Sequence, residues 1–204
     1  MMGYKPEDRW YYHAGKKAHD IIQRHVSGVE DHPYLKHIKE TFPIVETMDF
    51  DPACKFEINF NEVLDVYQGK MAKQQHSLNE QYRVIGFFDG RDNQYKKFLE
   101  IKSSSNPWSL IKFKTSLQRK LYTLSNVDIE ECYLITGQKE PEKWEKEPPK
   151  IFKVPATEAD RIEAIKFVLD GIETIRKGDF TGGLDENGKC TDPWCYFGKN
   201  CQFK

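Results

Sequence analysis

Two short apolar runs, each interrupted by charge, constrain this chain more than any other feature. Val84-Ile85-Gly86-Phe87-Phe88 ends on Asp89, and after ten intervening residues comes Glu100, in the run Phe98-Leu99-Glu100-Ile101-Lys102. Strand side chains alternate faces, so Glu100 and Lys102 share the face of Phe98, where an apolar core is expected. If the two runs pair as neighbouring strands, Asp89 joins them. Two carboxylates and an ammonium then converge, and burying them unpaired would cost several kcal/mol. A divalent cation and a phosphate would relieve that cost, which is the arrangement metal-assisted phosphodiester hydrolysis needs. Taken alone, Glu100-Ile101-Lys102 reads equally well as a weak surface pair on an exposed strand.

The flanking segments tip the balance. Ser103-Ser104-Ser105-Asn106-Pro107 has helix-starting chemistry, and a helix is predicted from about Trp108 to Leu124. Gln118 and Tyr122 stand four apart in it, hence on one face. Upstream, Gly15 and His19 lie in another helical stretch. The series Gly15-xxx-His19, Gly86-xx-Asp89, Glu100-Ile101-Lys102 and Gln118-xxx-Tyr122 resembles the RecB-type nucleases of the PD-(D/E)XK superfamily, in the family's order. With its cysteine-rich end, the chain is similar to the iron–sulfur subset, the AddB-like and CRISPR-adaptation exonucleases. The resemblance implies that His19, Asp89 and Glu100 ligate Mg²⁺ or Mn²⁺ with help from the Ile101 carbonyl. It implies that Lys102 positions or activates the attacking water, and that Gln118 and Tyr122 hold the site or the strand. Carboxylate and carbonyl oxygens suit both ions, and imidazole suits Mn²⁺ better. The family's position singles out His19 from His13, His25, His32, His37 and His76, which have no such support.

Of five cysteines, Cys190, Cys195 and Cys201 fall within twelve residues, punctuated by Pro193 and Gly198. The odd count and the absence of a secretory start favour a metal over disulfides. The resemblance implies a [4Fe-4S] cluster on four thiolates. In the family the fourth precedes the motif histidine; no cysteine here precedes His19, and Cys54 is the best substitute. Cys132 reads as a buried strand thiol. Zinc on three cysteines and a histidine such as His13 is the rival.

Net charge is −1, so no global basic character marks a nucleic-acid partner. Lys112, Lys114, Arg119 and Lys120 crowd the helix that carries Gln118 and form a candidate DNA-binding face. The other reading is an ordinary solvated basic face. Hydrophobic content of 38% and mean hydropathy of −0.74 describe a polar chain with no membrane-length run. A cytoplasmic location, or the host cytoplasm if the protein is viral, is the expectation.

Alternation over Phe56–Tyr67 predicts a strand, with a bend near Asn59–Asn61. Strands are also predicted at 81–89, 96–102, 129–136 and 151–154, and helices at 14–26, 33–42 and from Thr157 to about Lys177. The charged loop 138–149 reads as a flap or an edge loop. The expected fold is α/β, a PD-(D/E)XK core with a mixed sheet flanked by helices. The nuclease domain is expected over 1–178 and a cysteine-rich metal-binding tail over 179–204. A chain of 204 residues has no room for a helicase, which would be a separate partner, as would a recombination protein. The leading expectation is an exonuclease acting on single-stranded or end-bearing DNA in recombination, repair, CRISPR adaptation or virus replication. The alternatives are a catalytically silent nucleic-acid-binding module with a zinc knuckle, and a site-specific endonuclease on the same core.

Overall fold

A computed structural model describes residues 10–50, 54–71, 78 and 80–177. Cys190, Cys195, Cys201 and His76 lie outside the described residues. Residues 9–165 form one compact unit. Residues 166–177, the C-terminal half of the last helix, belong to a second unit. There Lys177 pairs with Glu173 at 2.6 Å and Thr174 bonds back to the Asp170 carbonyl.

The first unit is mixed α/β, a mixed sheet flanked by helices. Its central sheet has the order β3-β4-β5-β6, with β3 Gly90–Arg91, β4 Lys97–Ser104, β5 Glu131–Gln138 and β6 Lys150–Pro155. The β4–β5 pair is parallel and the outer pairs are antiparallel. Parallel neighbours need a crossover. It is made by α4 Leu110–Thr115 and α5 Leu117–Tyr122.

Alternation along β4 and β5 splits the core by face. Leu99, Ile101, Tyr133 and Ile135 pack with Ala18, Ile22 and Val26 of α1 (Trp10–Val26). The spacing i, i+4, i+8 puts those three on one helical stripe, and His19 rides at its rim. Leu35 and Ile38 pack on the same side, with Ile38 in α2 (Lys36–Thr41). On the other face Phe98, Cys132 and Leu134 pack with Phe88, Phe113 and Tyr122. Fully burying one such side chain is worth about 1.5–3 kcal/mol. Glu100 sits on this second face, 5% exposed, in what would otherwise be a core position.

Three expectations need correction. The predicted strand 56–67 is β1 Lys55–Asn59 followed by helix α3 Phe60–Tyr67. Phe60, Leu64 and Tyr67 are buried at helical spacing, and Asn59 donates to Glu62 Oε1 at 2.8 Å across the switch. The predicted helix 108–124 breaks in two at Ser116, whose backbone is extended (ψ 125°) and whose hydroxyl caps α5. The run before Asp89 does not pair with β4. As β2, Arg83–Phe87, it pairs with β1 in a separate two-stranded sheet.

The predicted helix from Thr157 and the edge-loop reading of 138–149 stand. Thr157 and Asp160 form a reciprocal capping box at the start of α6, Glu158–Lys177, with N–H to side-chain distances of 3.1 and 3.2 Å. Loop 138–149 is an anchored edge: Trp144 is fully buried and donates its indole N–H to the Gln138 carbonyl at 2.8 Å. Among the described residues no helix is long and apolar enough to cross a membrane.

Candidate active site

The site forms where β3 stops. That strand pairs only as far as Gly90↔Leu99, so the next edge groups of β4 have no strand partner on this side. Asp89, just before β3, fills the gap: its Oδ2 accepts the Ile101 N–H at 2.6 Å. A strand residue's N–H and C=O point to the same side, so the Ile101 carbonyl faces this edge too. Gly86 sets the approach. A Cβ there would collide with the Phe56 ring, which packs 4.8 Å from Phe88 and 5.4 Å from Tyr122, centroid to centroid.

His19 reaches the same carboxylate from α1, with Nε2 3.1 Å from Asp89 Oδ1. The helix is tied to β4 by Ser103, whose hydroxyl donates to the Gly15 carbonyl at 2.7 Å. Burial opposes the charged imidazole, but the Asp89 hydrogen bond and the surrounding carboxylates outweigh it, and the pKa of His19 is raised.

From the other face, Glu100 Oε1 pairs with Lys102 Nζ and accepts from Gln118 Nε2 at 3.0 Å. Gln118 Nε2 also lies 2.6 Å from the Tyr122 hydroxyl. The helical spacing of Gln118 and Tyr122 therefore makes one chain of contacts down to Glu100. The Tyr122 ring itself is core, edge-on to Phe88 and Phe98. Burial and the nearby Glu100 charge keep its phenol well above the ordinary range, so it stays protonated. Burial first, then the charge of Asp89, push the Glu100 carboxyl up to about 7, against the pull of Lys102 and Gln118.

The raised Glu100 carboxyl fixes a sign. Between its ordinary 4.5 and about 7 the folded state holds the proton more tightly than the unfolded chain. Stability is therefore lost as pH rises through that window, and the loss is complete above it. Glu100→Gln is expected to raise Tm by roughly 5 °C at pH 8 and by nearly nothing at pH 4, as thermal unfolding at the two pH values will measure. A variant no more stable than wild type at pH 8 would mean that Lys102 fully compensates the buried charge.

The sequence-predicted site residues His19, Asp89, Glu100, Ile101, Lys102, Gln118 and Tyr122 thus stand within one continuous set of contacts. Among the described residues no three His, Cys, Asp or Glu side chains are grouped so as to hold a metal ion as they stand. Asp89 is committed to His19 and Ile101, and Glu100 to Lys102 and Gln118. The donor types nonetheless fit a hard or borderline divalent cation: two carboxylates, an imidazole and an edge carbonyl. A buried carboxyl raised by a neighbouring carboxylate is also what a cation would relieve.

Two of the four expected DNA contacts are corrected. Arg119 is 1% exposed, with its guanidinium bidentate on Asp160 at 3.1 and 2.5 Å. Lys120 is 7% exposed and bound to Glu163 at 2.5 Å. Both cations are spent inside the fold, whereas Lys112 and Lys114 are exposed. Cys54 is fully buried in the aromatic group, its thiol donating to the Asp49 carbonyl at 3.5 Å. Cys132 is equally buried, and burial pushes its thiol up to about 12.

Sequence reasoning missed Trp108. Its ring lies 5.7 Å from Lys102 Nζ and 4.7 Å from Lys112 Nζ. Its backbone N–H donates to Thr136 Oγ1 at 2.8 Å, and Thr136 is the β5 partner of Lys102. The available signal was a tryptophan placed immediately after the proline of the loop that follows Lys102. Comparison of the chain with protein-family models, curated proteins and solved structures finds no match.

Proposed function

We propose that this chain is a divalent-cation-dependent nuclease of the PD-(D/E)XK type that hydrolyses phosphodiester bonds in DNA, acting from strand ends. The observation that carries the reading is the meeting of His19, Asp89, Glu100, Lys102 and Gln118, from four separate parts of the chain, at one interrupted edge of β4. Structural ion pairs seldom need two carboxylates, an imidazole and a lysine around one strand edge, and perturbed groups of this kind cluster at functional sites.

His19, Asp89, Glu100 and the Ile101 carbonyl would hold Mg²⁺ or Mn²⁺, which supplies Lewis-acid stabilisation of the phosphate charge. Lys102 is 28% exposed at its side chain, so its ammonium can meet a non-bridging phosphate oxygen and orient the incoming water. Gln118 fixes the Glu100 carboxylate, and the buried Tyr122 hydroxyl fixes Gln118. In the reaction a water oxygen bonds to phosphorus, a P–O ester bond breaks, and the released strand leaves with the water's proton.

Three cysteines near the C-terminus support a metal-bearing tail on sequence grounds alone, iron–sulfur ahead of zinc. Anaerobically purified protein is expected to be brown, with broad absorption near ~400 nm. Colourless protein with stoichiometric zinc would favour the rival, and metal-free protein of full stability would remove the idea.

Digestion of end-labelled single strands, linear duplex and closed circles with Mg²⁺ or Mn²⁺ tests the function. Linear DNA is expected to be degraded and circles spared, with chelator stopping the reaction. Cutting of circles would make the protein an endonuclease. Absence of cutting with either ion would leave a silent binding module.

A further inference from the structure

We infer that Trp108 is the stacking platform for an unpaired nucleobase beside the phosphate held at Lys102. The inference rests on the nuclease reading of the site and adds the form of the substrate: a single or frayed DNA strand. The indole is half-buried, its inner part packed on the core group of Phe98, Phe113 and Tyr122. Its backbone is anchored by the Thr136 hydroxyl, directly across β5 from Lys102. Rigid on the inside and open on the outside, such a ring can receive a flat partner at little ordering cost. It also lines one small crevice together with Glu100 and Gln118.

The surroundings match a strand rather than bulk water. Two ammoniums lie within 6 Å of the ring, one of them on the site's own lysine. Lys112 is exposed and can exchange the indole face for a flanking phosphate. The two residues before Lys112, Leu110 and Ile111, are 44% and 75% exposed, leaving apolar side chains in water beside the cations. An indole that merely parks two lysines would not account for that apolar tip. Unpaired strands are gripped by this combination, aromatic faces for bases and cations for the backbone.

The test measures binding of a fluorescein-labelled single-stranded thymidine 12-mer, with Ca²⁺ replacing Mg²⁺ to suppress cleavage. The comparison strand is an abasic 12-mer of the same backbone. Wild-type protein is expected to bind the thymidine strand about 5- to 150-fold more tightly than the abasic one. Trp108→Ala should weaken thymidine binding by a similar factor and erase the difference between the strands, whereas Trp108→Phe should retain most of it. The abasic comparison is made on the unaltered protein, so it stands even if a variant folds poorly. Equal binding of the two strands by wild type overturns the inference, as does a base preference that survives in Trp108→Ala. If wild type prefers bases through Trp108 yet cuts nothing with Mg²⁺ or Mn²⁺, the platform stands and the hydrolytic reading fails. If wild type cuts, Lys102→Ala does not, and Trp108→Ala binds normally, the hydrolytic reading stands and the platform fails.

Discussion

Lys102→Ala is expected to reduce DNA cleavage by at least about 10²–10³-fold, the cost typical of removing one group that stabilises charge in the transition state. The fold should survive the change. Lys102 pairs with Glu100, which is buried and already raised to about 7 by burial and by Asp89. Without the ammonium that carboxyl rises further and takes up a proton at neutral pH, so no unpaired charge is left inside. Neutral Glu100 can still bond to Gln118, which keeps α5 seated. Cleavage rates and thermal unfolding of the same preparation separate the two effects. A variant that cuts DNA at near the wild-type rate would remove the lysine from the chemistry, and with it the proposed function. Lys102→Arg is a useful companion, because a guanidinium keeps the charge but is larger and planar. Partial recovery there would assign the role to charge, and no recovery would assign it to placement of a compact ammonium.

The grouping of the candidate site residues was largely legible in the sequence because its parts are local. Glu100 and Lys102 share a face by strand alternation, and Gln118 and Tyr122 by helical spacing; both patterns survive in any packing. What brings them together was less legible. The apolar run before Asp89 appeared able to pair with β4, yet β2 takes β1 as its partner and only Asp89 crosses over. A period of two cannot tell which strand a run will choose. At 56–67 the first half alternates and the second half is helical, and the short span blurred one into the other. Ser116 looked like an ordinary helix residue, but a serine that can cap competes with the helix that would contain it. Lys112, Lys114, Arg119 and Lys120 formed one basic cluster in sequence. Only tertiary partners divide it into two exposed cations and two buried ones, because Asp160 and Glu163 arrive from 41 and 43 residues away.

That division makes the strongest stability prediction. Arg119 is 1% exposed and Asp160 14% exposed at the side chain, joined by two bonds, and the guanidinium also donates to the Lys114 carbonyl at 2.8 Å. Burial opposes ionisation of Asp160, but the hydrogen bonds from Arg119 and Thr157 outweigh it and hold its pKa below the usual carboxylate range. Asp160→Asn is expected to destabilise the protein by about 3 kcal/mol, since it strands a buried cation. Arg119→Met should cost less, because the carboxylate left behind can turn to water. The double variant should recover part of the sum, which a double-mutant cycle in denaturant will measure. The pH dependence has a fixed sign. A depressed carboxylate stabilises fully above its unfolded value and loses that contribution as pH falls through its folded value. Wild type should therefore lose stability on acidification over this range by a step that Asp160→Asn lacks. The pair also bears on the proposed function, since it fastens α5 to the start of α6 and so holds Gln118 beside Glu100. If Arg119→Met instead kept full stability and weakened DNA binding, the guanidinium would belong to the DNA-contacting face after all, and the bond to Asp160 would be incidental.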